Sequence, residues 1–334
     1  MASLKEIKDR IASVGGTLKI TSAMKMVASA KLHKAQQAIG NMLPYEKRLH
    51  SMLIDLMGSV NMSAPASEEG SGRLVSLSNQ LGPMESERAY SLMAQRQVHK
   101  VAIVAFASNS SLCGAFNSNA IRESTAVINE YRASGLRDSD ITVYSVGRKM
   151  AEAMRKLGFP SPADFTKMSD SPSYEAASAL AQELLDGFVS GRFDKVELVY
   201  NHYKSTASQP TTRQTYLPLS LADATADLQA GKISDSTSEA DTTTVAEPVE
   251  APDMIVEPSK EELIATLLPK VVRLRIFTTL LDSAAAEHAA RTVAMQLATD
   301  NGNDLLQELT LEYNKGRQQK ITSEILDLVG GSMQ

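Results

Sequence analysis

The sequence predicts an α/β protein built on a coiled coil. A long antiparallel two-helix coiled coil forms from the N- and C-termini, with a small Rossmann-like, parallel-rich α/β domain between them. Three observations predict it. An apolar seam runs from Leu4 to Leu56 in steps of three and four, the 3.5-residue period of a left-handed coiled coil. The last stretch, Pro258 to Gln334, has no proline after Pro269 and reads as one helix on the order of 100 Å long. Between these ends, short apolar runs alternate with helical patterns, as in a sheet covered by helices.

The first helix is expected from Ser3 to about Met57, within a domain of residues 1–57. Its seam is Leu4, Ile7, Ile11, Val14, Leu18, Thr21, Lys25, Ala28, Leu32, Ala35, Ile39, Met42, Glu46, Leu49, Leu53 and Leu56, of which only Thr21, Lys25 and Glu46 are not apolar. Ser3 and Glu6 have the spacing of a capping box. Gly15-Gly16 and Pro44 are expected to bend the helix without ending it.

Residues 58–97 shift to Ser, Gly, Glu and Pro and read as a flexible insertion, with a short helix near Glu85 to Arg96. The α/β domain is assigned to residues 98–220. Lys100 to Ala107 is a nearly continuous apolar run, as expected of a buried parallel strand. A helix follows over Asn117 to Ser134, then a strand over Ile141 to Gly147, helices over Arg148 to Leu157 and Ser173 to Ser190, and a strand over Lys195 to Asn201. Thr215 to Leu219 closes the unit as an edge strand, where Pro218 is tolerated. Residues 221–257 carry nine acids against the single Lys232 and read as a second, acidic flexible insertion. The C-terminal helix, residues 258–334, begins at a second capping box, Ser259 with Glu262.

Composition limits the function classes. The chain has 334 residues, a net charge of −5, 43% hydrophobic and 5% aromatic residues, 15 Met and no Trp. That balance suits helix-on-helix packing and gives no global pull toward nucleic acid or acidic lipid. Residues 1–50 are locally basic, with nine Lys or Arg against three acids; a solvated face and a face turning inside an acidic partner both fit. No stretch reaches the length of a membrane span, so the chain is expected to be soluble, with membrane association only through partners. The lack of an organelle-type leader points to a bacterial source.

Enzymatic signals are missing. The loop after the first strand is where an α/β sheet would bind a ligand, yet it has neither G-x-G-x-x-G nor G-K-[ST]. Cys113 is the single cysteine, so no disulfide or cysteine-based zinc site can form, and it reads as a small buried residue. His33, His50, His99, His202 and His288 show no metal spacing; His288, beside Glu287, reads as a packing or pairing residue. No catalytic residue, metal site or cofactor is expected.

Three blocks carry a resemblance: I-K-D-R-I-A-S-V-G-G-T-L-K-I-T-S-A-M-K-M-V-A-S-A-K-L (Ile7 to Leu32), L-C-G-A-F-N (Leu112 to Asn117), and E-H-A-A-R-T-V-A-M with A-T-D-N-G and Y-N-K-G-R-Q-Q-K-I-T-S-E-I (Glu287 to Ile325). Together they resemble the gamma-subunit family of the F-type, proton-translocating ATP synthase, bacterial type. The match covers both terminal helices and, loosely, the α/β domain; both inserts lie outside it.

The resemblance implies a non-catalytic central rotor shaft inside a ring of alternating alpha and beta subunits. It would couple proton-driven rotation of a membrane ring to ATP synthesis or hydrolysis on beta, as a peripheral protein on the cytoplasmic face of the inner membrane. It also implies that Arg317, Gln318, Thr322 and Glu324 form a hydrogen-bonded catch with beta loops. Met24 and Lys25 match the position near a beta lever, and Arg291 lies in the segment coupled to that contact. A solvated helical face is the plain alternative for the catch. At the foot, Tyr200, Asn201, His202, Tyr203 and Lys204 are the candidate contact for the membrane c-ring and the epsilon subunit; a simple hairpin loop is the alternative. One departure stands out: Asn109, Ser110 and Ser111 occupy a loop that in the family reads like S-D-R-G-L-C-G, so its contacts are expected to be made differently here. A non-rotary coiled-coil scaffold with an α/β interaction domain is the second reading, and a nucleic-acid-binding coiled coil the third.

Overall fold

A computed structural model of the chain describes residues 3–59, 91–219, 257 and 260–331. Most of both inserts, the expected Glu85–Arg96 helix up to residue 90, and the cap at Ser259 lie outside the described residues; Leu92 to Arg96 is turn and irregular chain, so the helix does not extend that far.

Helix α1 spans Leu4–Ser59 and runs unbroken through Gly15, Gly16 and Pro44. Its start is the capping box read from the sequence. The Ser3 amide donates to Glu6 Oε2 at 2.9 Å and the Glu6 amide to Ser3 Oγ at 3.2 Å, so two otherwise orphan donors are satisfied reciprocally. Every residue of the predicted seam is buried or half-buried, while the residues between are mostly exposed.

The C-terminal helix, α6, spans Lys260–Gly331, on the order of 100 Å at 1.5 Å per residue. The two helices pair antiparallel. Leu4 faces Gly316, Leu18 faces Gly302, and Thr299 Oγ1 donates to Thr21 Oγ1 at 3.0 Å. Each step along one helix is matched by an equal step back along the other, so the register never slips. Glycine at 302 is what seats Leu18: a Cβ there would lie 2.7 Å from Leu18 Cδ2.

Between the helices, the sheet has strands β1 (Val101–Phe106), β2 (Ile141–Val146), β3 (Lys195–Asn201) and β4 (Thr211–Leu217). Their order is β2-β1-β3-β4. β1 pairs parallel with β2 and β3, and β4 closes the edge antiparallel to β3. The edge strand thus begins earlier than the sequence pattern suggested, because Thr211–Thr215 alternates weakly and shows no apolar run. Pro218 follows it across a cis Leu217–Pro218 bond.

Helices α2 (Phe116–Ala133) and α3 (Arg148–Lys156) cover one face, packing Val127, Ile128, Met150 and Met154 on Ile103 and Ala105. Helix α5 (Tyr174–Val189), with the ends of α1 and α6, covers the other. There Leu53, Leu56, Ile264, Leu268 and Ile276 join Leu180, Leu184, Phe188, Leu198 and Tyr216 in one core; each such side chain stabilises by roughly 1.5–3 kcal/mol. A short helix, α4 (Thr166–Asp170), had no periodic signal in the sequence. At the crossover after β2, Gly147 has φ +97, and a Cβ would lie 2.0 Å from the Ala107 carbonyl oxygen, so only glycine fits.

The strands have a definite direction relative to the rod. At one end of β4, Tyr216 OH donates to the Val272 carbonyl of α6 at 2.9 Å. Just past the far end of β3, His202 and Tyr203 meet Asp282. The carboxyl ends of the parallel strands therefore point along α6 toward its C-terminus, away from the end where α1 stops and α6 begins.

Candidate functional site

The rod's free end is the first candidate. α1 starts opposite Gly316, so roughly the last 15 residues of α6, about 22 Å, extend past the start of α1. Residues 321–329 are all exposed, among them Ile321 48%, Ile325 54%, Leu326 65% and Leu328 74%. Arg317, Gln318, Thr322 and Glu324 are exposed on this same overhang. Arg317 and Glu324 are seven residues apart and Gln318 and Thr322 four apart, so each pair shares a face. Thr322 Oγ1 donates to the Gln318 carbonyl at 2.9 Å, and Lys320 lies 3.8 Å from Glu324. The four predicted residues thus lie as two polar pairs on adjacent sides of the overhang, set among bare apolar side chains.

Lower on the rod, Met24 and Lys25 are half-buried on α1 one turn from the Thr21–Thr299 contact, flanked by exposed Met26 and Val27. Arg291 sits about one and a half turns nearer the foot. Its guanidinium is turned inward: Nη2 donates to Glu287 Oε1 at 2.6 Å and Nη1 to the Ser111 carbonyl at 2.8 Å. Burial pushes the Glu287 carboxyl above its usual pKa, against the opposing pull of Arg291. Burial, with Lys31 and Arg291 nearby, drives His288 down to about 4, so its ring is neutral.

The departed loop is rebuilt from its own polar groups. Asn109 accepts the Arg148 amide on Oδ1 at 2.7 Å and donates Nδ2 to the Thr166 carbonyl at 2.7 Å. Its own carbonyl takes both the Nε and Nη2 of Arg148. Cys113 is buried against Phe116 and Ala286, the packing role its sequence context suggested. Where a ligand crevice would open at the strand ends, a cavity of about 10 Å³ lies between Phe106, Val146, Leu280 and Glu287, room for one water at most.

The stretch Tyr200–Lys204 lies on the tip side of the α/β domain, against both helices of the rod. Asn201 is 1% exposed; its Nδ2 donates to the Phe116 carbonyl at 3.0 Å and its Oδ1 accepts from Thr211 at 2.7 Å. It is a structural residue, out of reach of any partner. Tyr200 is half-buried against the domain core, and Tyr203 is packed between the domain and the rod. His202 and Lys204 are the exposed members. Sequence reasoning missed this because a hairpin's tilt toward a neighbouring helix leaves no local pattern; Asp282, a lone acid in an apolar helical stretch, was the available signal.

It also missed Glu197, buried on β3 at 1% exposure. Glu197 accepts from Tyr131 OH at 2.6 Å, Arg213 Nε at 2.7 Å and Lys195 Nζ at 2.7 Å; Arg213 reaches on to Glu130. Burial works to raise its pKa, yet the three hydrogen bonds outweigh it and hold the carboxyl below its usual value. A charged residue in the middle of an apolar strand was its signature.

Among the described residues no helix is long and apolar enough to cross a membrane. Residues 3–333 match the ATP synthase family model. The ATP synthase gamma chain of Phocaeicola vulgatus is 50% identical over 333 residues, covering all of both chains. That of Bacteroides fragilis is 48% identical with the same coverage, and that of Flavobacterium johnsoniae is 38% identical over 99% of this chain and 98% of its own. The fold is shared with a chain in the Euglena gracilis mitochondrial ATP synthase OSCP/F1/c-ring structure, at a TM-score of 0.57 and 20% identity over 99% of this chain and 93% of that one. A chain of the rotor of the same enzyme gives 0.53 at 19% identity over 95% and 98%. The full-length likeness to these bacterial gamma chains, on a rod-and-domain fold of this kind, places the chain in the ATP synthase gamma-chain family.

Proposed function

We propose that this chain is the central rotor shaft of a bacterial F-type ATP synthase, a peripheral subunit on the cytoplasmic face of the membrane that performs no bond chemistry itself. The observation that carries the reading is the overhanging tip of α6. A bare helical end with Ile321, Ile325, Leu326 and Leu328 in solvent is an apolar surface that calls for a sheath, and a ring of alpha and beta subunits supplies one. Arg317, Gln318, Thr322 and Glu324 are its polar contacts with beta, and Met24 and Lys25, with exposed Met26 and Val27, form a second contact lower down. Arg291 serves that region by holding the Ser111 loop in place.

The opposite end, where α1 stops and α6 starts, faces the membrane c-ring and the epsilon subunit; His202 and Lys204 flank that foot from its tip side. Proton-driven rotation of a lopsided rod presents a different face to each beta subunit. That difference biases the three toward different states, which is what coupling ATP synthesis or hydrolysis to rotation requires.

Pairing of the two terminal helices within one chain leaves the scaffold reading without the open seam it needs for self-association. Co-expression with alpha and beta, followed by native mass measurement, tests the proposal. A three-to-three-to-one complex is expected, weakened by Ile325→Ser with Leu328→Ser, while the isolated variant unfolds like the unmodified chain. A homodimer that ignores alpha and beta, or ATP turnover by the purified chain alone, sinks it.

A further inference from the structure

The β3–β4 hairpin grips the rod at a point where torque has to pass between foot and shaft. Tyr203 packs on Leu32, Ala285 and Ala289, one side chain from α1 and two from α6. The same ring packs on Cys113, Phe116 and Ala286, the cluster that joins the α/β domain to the rod. Gln36 Nε2 of α1 donates to Tyr203 OH at 2.6 Å. Asp282 of α6 takes the Tyr203 amide on Oδ1 at 2.9 Å and pairs with His202 Nδ1 through Oδ2 at 2.6 Å. One short hairpin is therefore bonded to both helices of the rod, and its aromatic ring packs against side chains of both.

The small residues of α6 make the space. Ala285, Ala286 and Ala289 are each 0% exposed, and Tyr203 packs against the clusters they belong to. A second attachment exists at the foot, where Leu53 and Leu56 of α1 enter the domain core. The two attachments along α1, at Gln36 and at Leu53, are about 25 Å apart.

Resting on the rotor reading above, we propose that Tyr203 is a torsional key. It fixes the angle of the α/β domain about the axis of the coiled coil, so that rotation of the foot turns the shaft without lag. A two-helix rod is not round in section, so a ring packed against both helices and hydrogen-bonded to one of them resists swivelling. The domain core and the Arg291–Ser111 bond hold the domain to α6 along its length, and the Gln36–Tyr203 bond adds a hold on α1 well above Leu53. Tyr203 is a positioning residue in this scheme, acting through Gln36 and Asp282.

The experiment uses this chain assembled with alpha and beta, the hexamer fixed to a surface. A rotational probe is attached through Ser139→Cys, an exposed position on the α/β domain; the native Cys113 is 1% exposed and does not compete for label. The width of the angular distribution within each ATP-driven dwell reports the stiffness between probe and hexamer. Tyr203→Ala is expected to raise the angular variance by less than about twofold, because the α6 contacts of the domain remain when the hold on α1 is lost. Tyr203→Phe and Gln36→Leu, which delete only the hydrogen bond, should raise it less, and the ATPase rate without load should stay unchanged.

If Tyr203→Ala weakens folding, the two milder variants carry the test, since thermal unfolding shows whether they fold as the unmodified chain does. Three-step rotation with the same variance in all three variants overturns the key and leaves the rotor reading standing. No rotation and no complex even with unmodified Tyr203 overturns the rotor reading itself.

Discussion

Replacing Arg291 by Met tests whether this residue is an internal clasp. The substitution keeps most of the apolar stem and removes the charge, so it isolates the two bonds to Glu287 and Ser111. Both side chains of the pair are 11% exposed. Breaking a buried ion pair by deleting one partner costs about 3–5 kcal/mol, because the other charge is left alone. Glu287 limits that cost by taking up a proton. For a carboxyl of ordinary pKa at pH 7.5, protonation costs about 4 kcal/mol at 1.36 kcal/mol per unit. The pKa of Glu287 is already raised by burial, so the limit is lower, and the expected loss lies toward the lower end of that range of about 3–5 kcal/mol.

Two further outcomes are specific to the clasp. Adding Glu287→Gln should recover most of the loss, since no lone charge remains. The deficit of Arg291→Met should also shrink as pH falls from 7.5 toward 5. A raised carboxyl pKa means that folding gains from protonation, a gain fully present below the unfolded value near 4.5 and lost as pH rises through the folded one. Urea unfolding of the purified chain across that range measures all three. A single variant within about 0.5 kcal/mol of the unmodified chain, or a double variant no better than the single, would refute the reasoning.

His288 titrates in the opposite sense. Its folded pKa is lowered from 6.5 to about 4, so the unfolded chain binds the proton first and stability is lost as pH drops through that window; His288→Asn, keeping Lys31, Arg291 and Asp170 around it, should flatten that part of the urea-midpoint profile. Glu197→Ala should destabilise by about 3–5 kcal/mol, since Arg213, Lys195 and Tyr131 lose their shared acceptor, and a normal denaturation midpoint would contradict the buried network. Gly147→Ala meets both a left-handed φ and a 2.0 Å approach to Ala107; a loss of about 3 kcal/mol or more is expected by thermal unfolding.

The long elements were legible because their signals are periodic and repeated. The α1 seam could be read residue by residue from Leu4 to Leu56, since a coiled coil imposes one spacing over many turns. β1 and β3 were legible as apolar runs bounded by polar residues. What the sequence hid is tertiary. Arg291 looks like any exposed arginine until Ser111, 180 positions away, is brought beside it. The hairpin residues Tyr200–Lys204 were expected at the foot because they follow the last long strand, but strand direction, set by packing on α6, carries them toward the tip. Helix spacing alone puts Arg317 near Glu324 and Gln318 near Thr322, so those two pairs were legible from the sequence.

The pairing of α1 with α6 also has a consequence for how the chain is made. Helix α1 leaves the ribosome first, yet the groups that cover its seam are among the last synthesised; Thr21 waits for Thr299. At roughly 5–20 residues per second, the 278 positions between them take about 14–56 s to appear. Throughout that interval a 56-residue helix with a continuous greasy edge has nothing of its own to lie against. Its lysines and arginines then have a second use, keeping the nascent segment dispersed until its partner arrives.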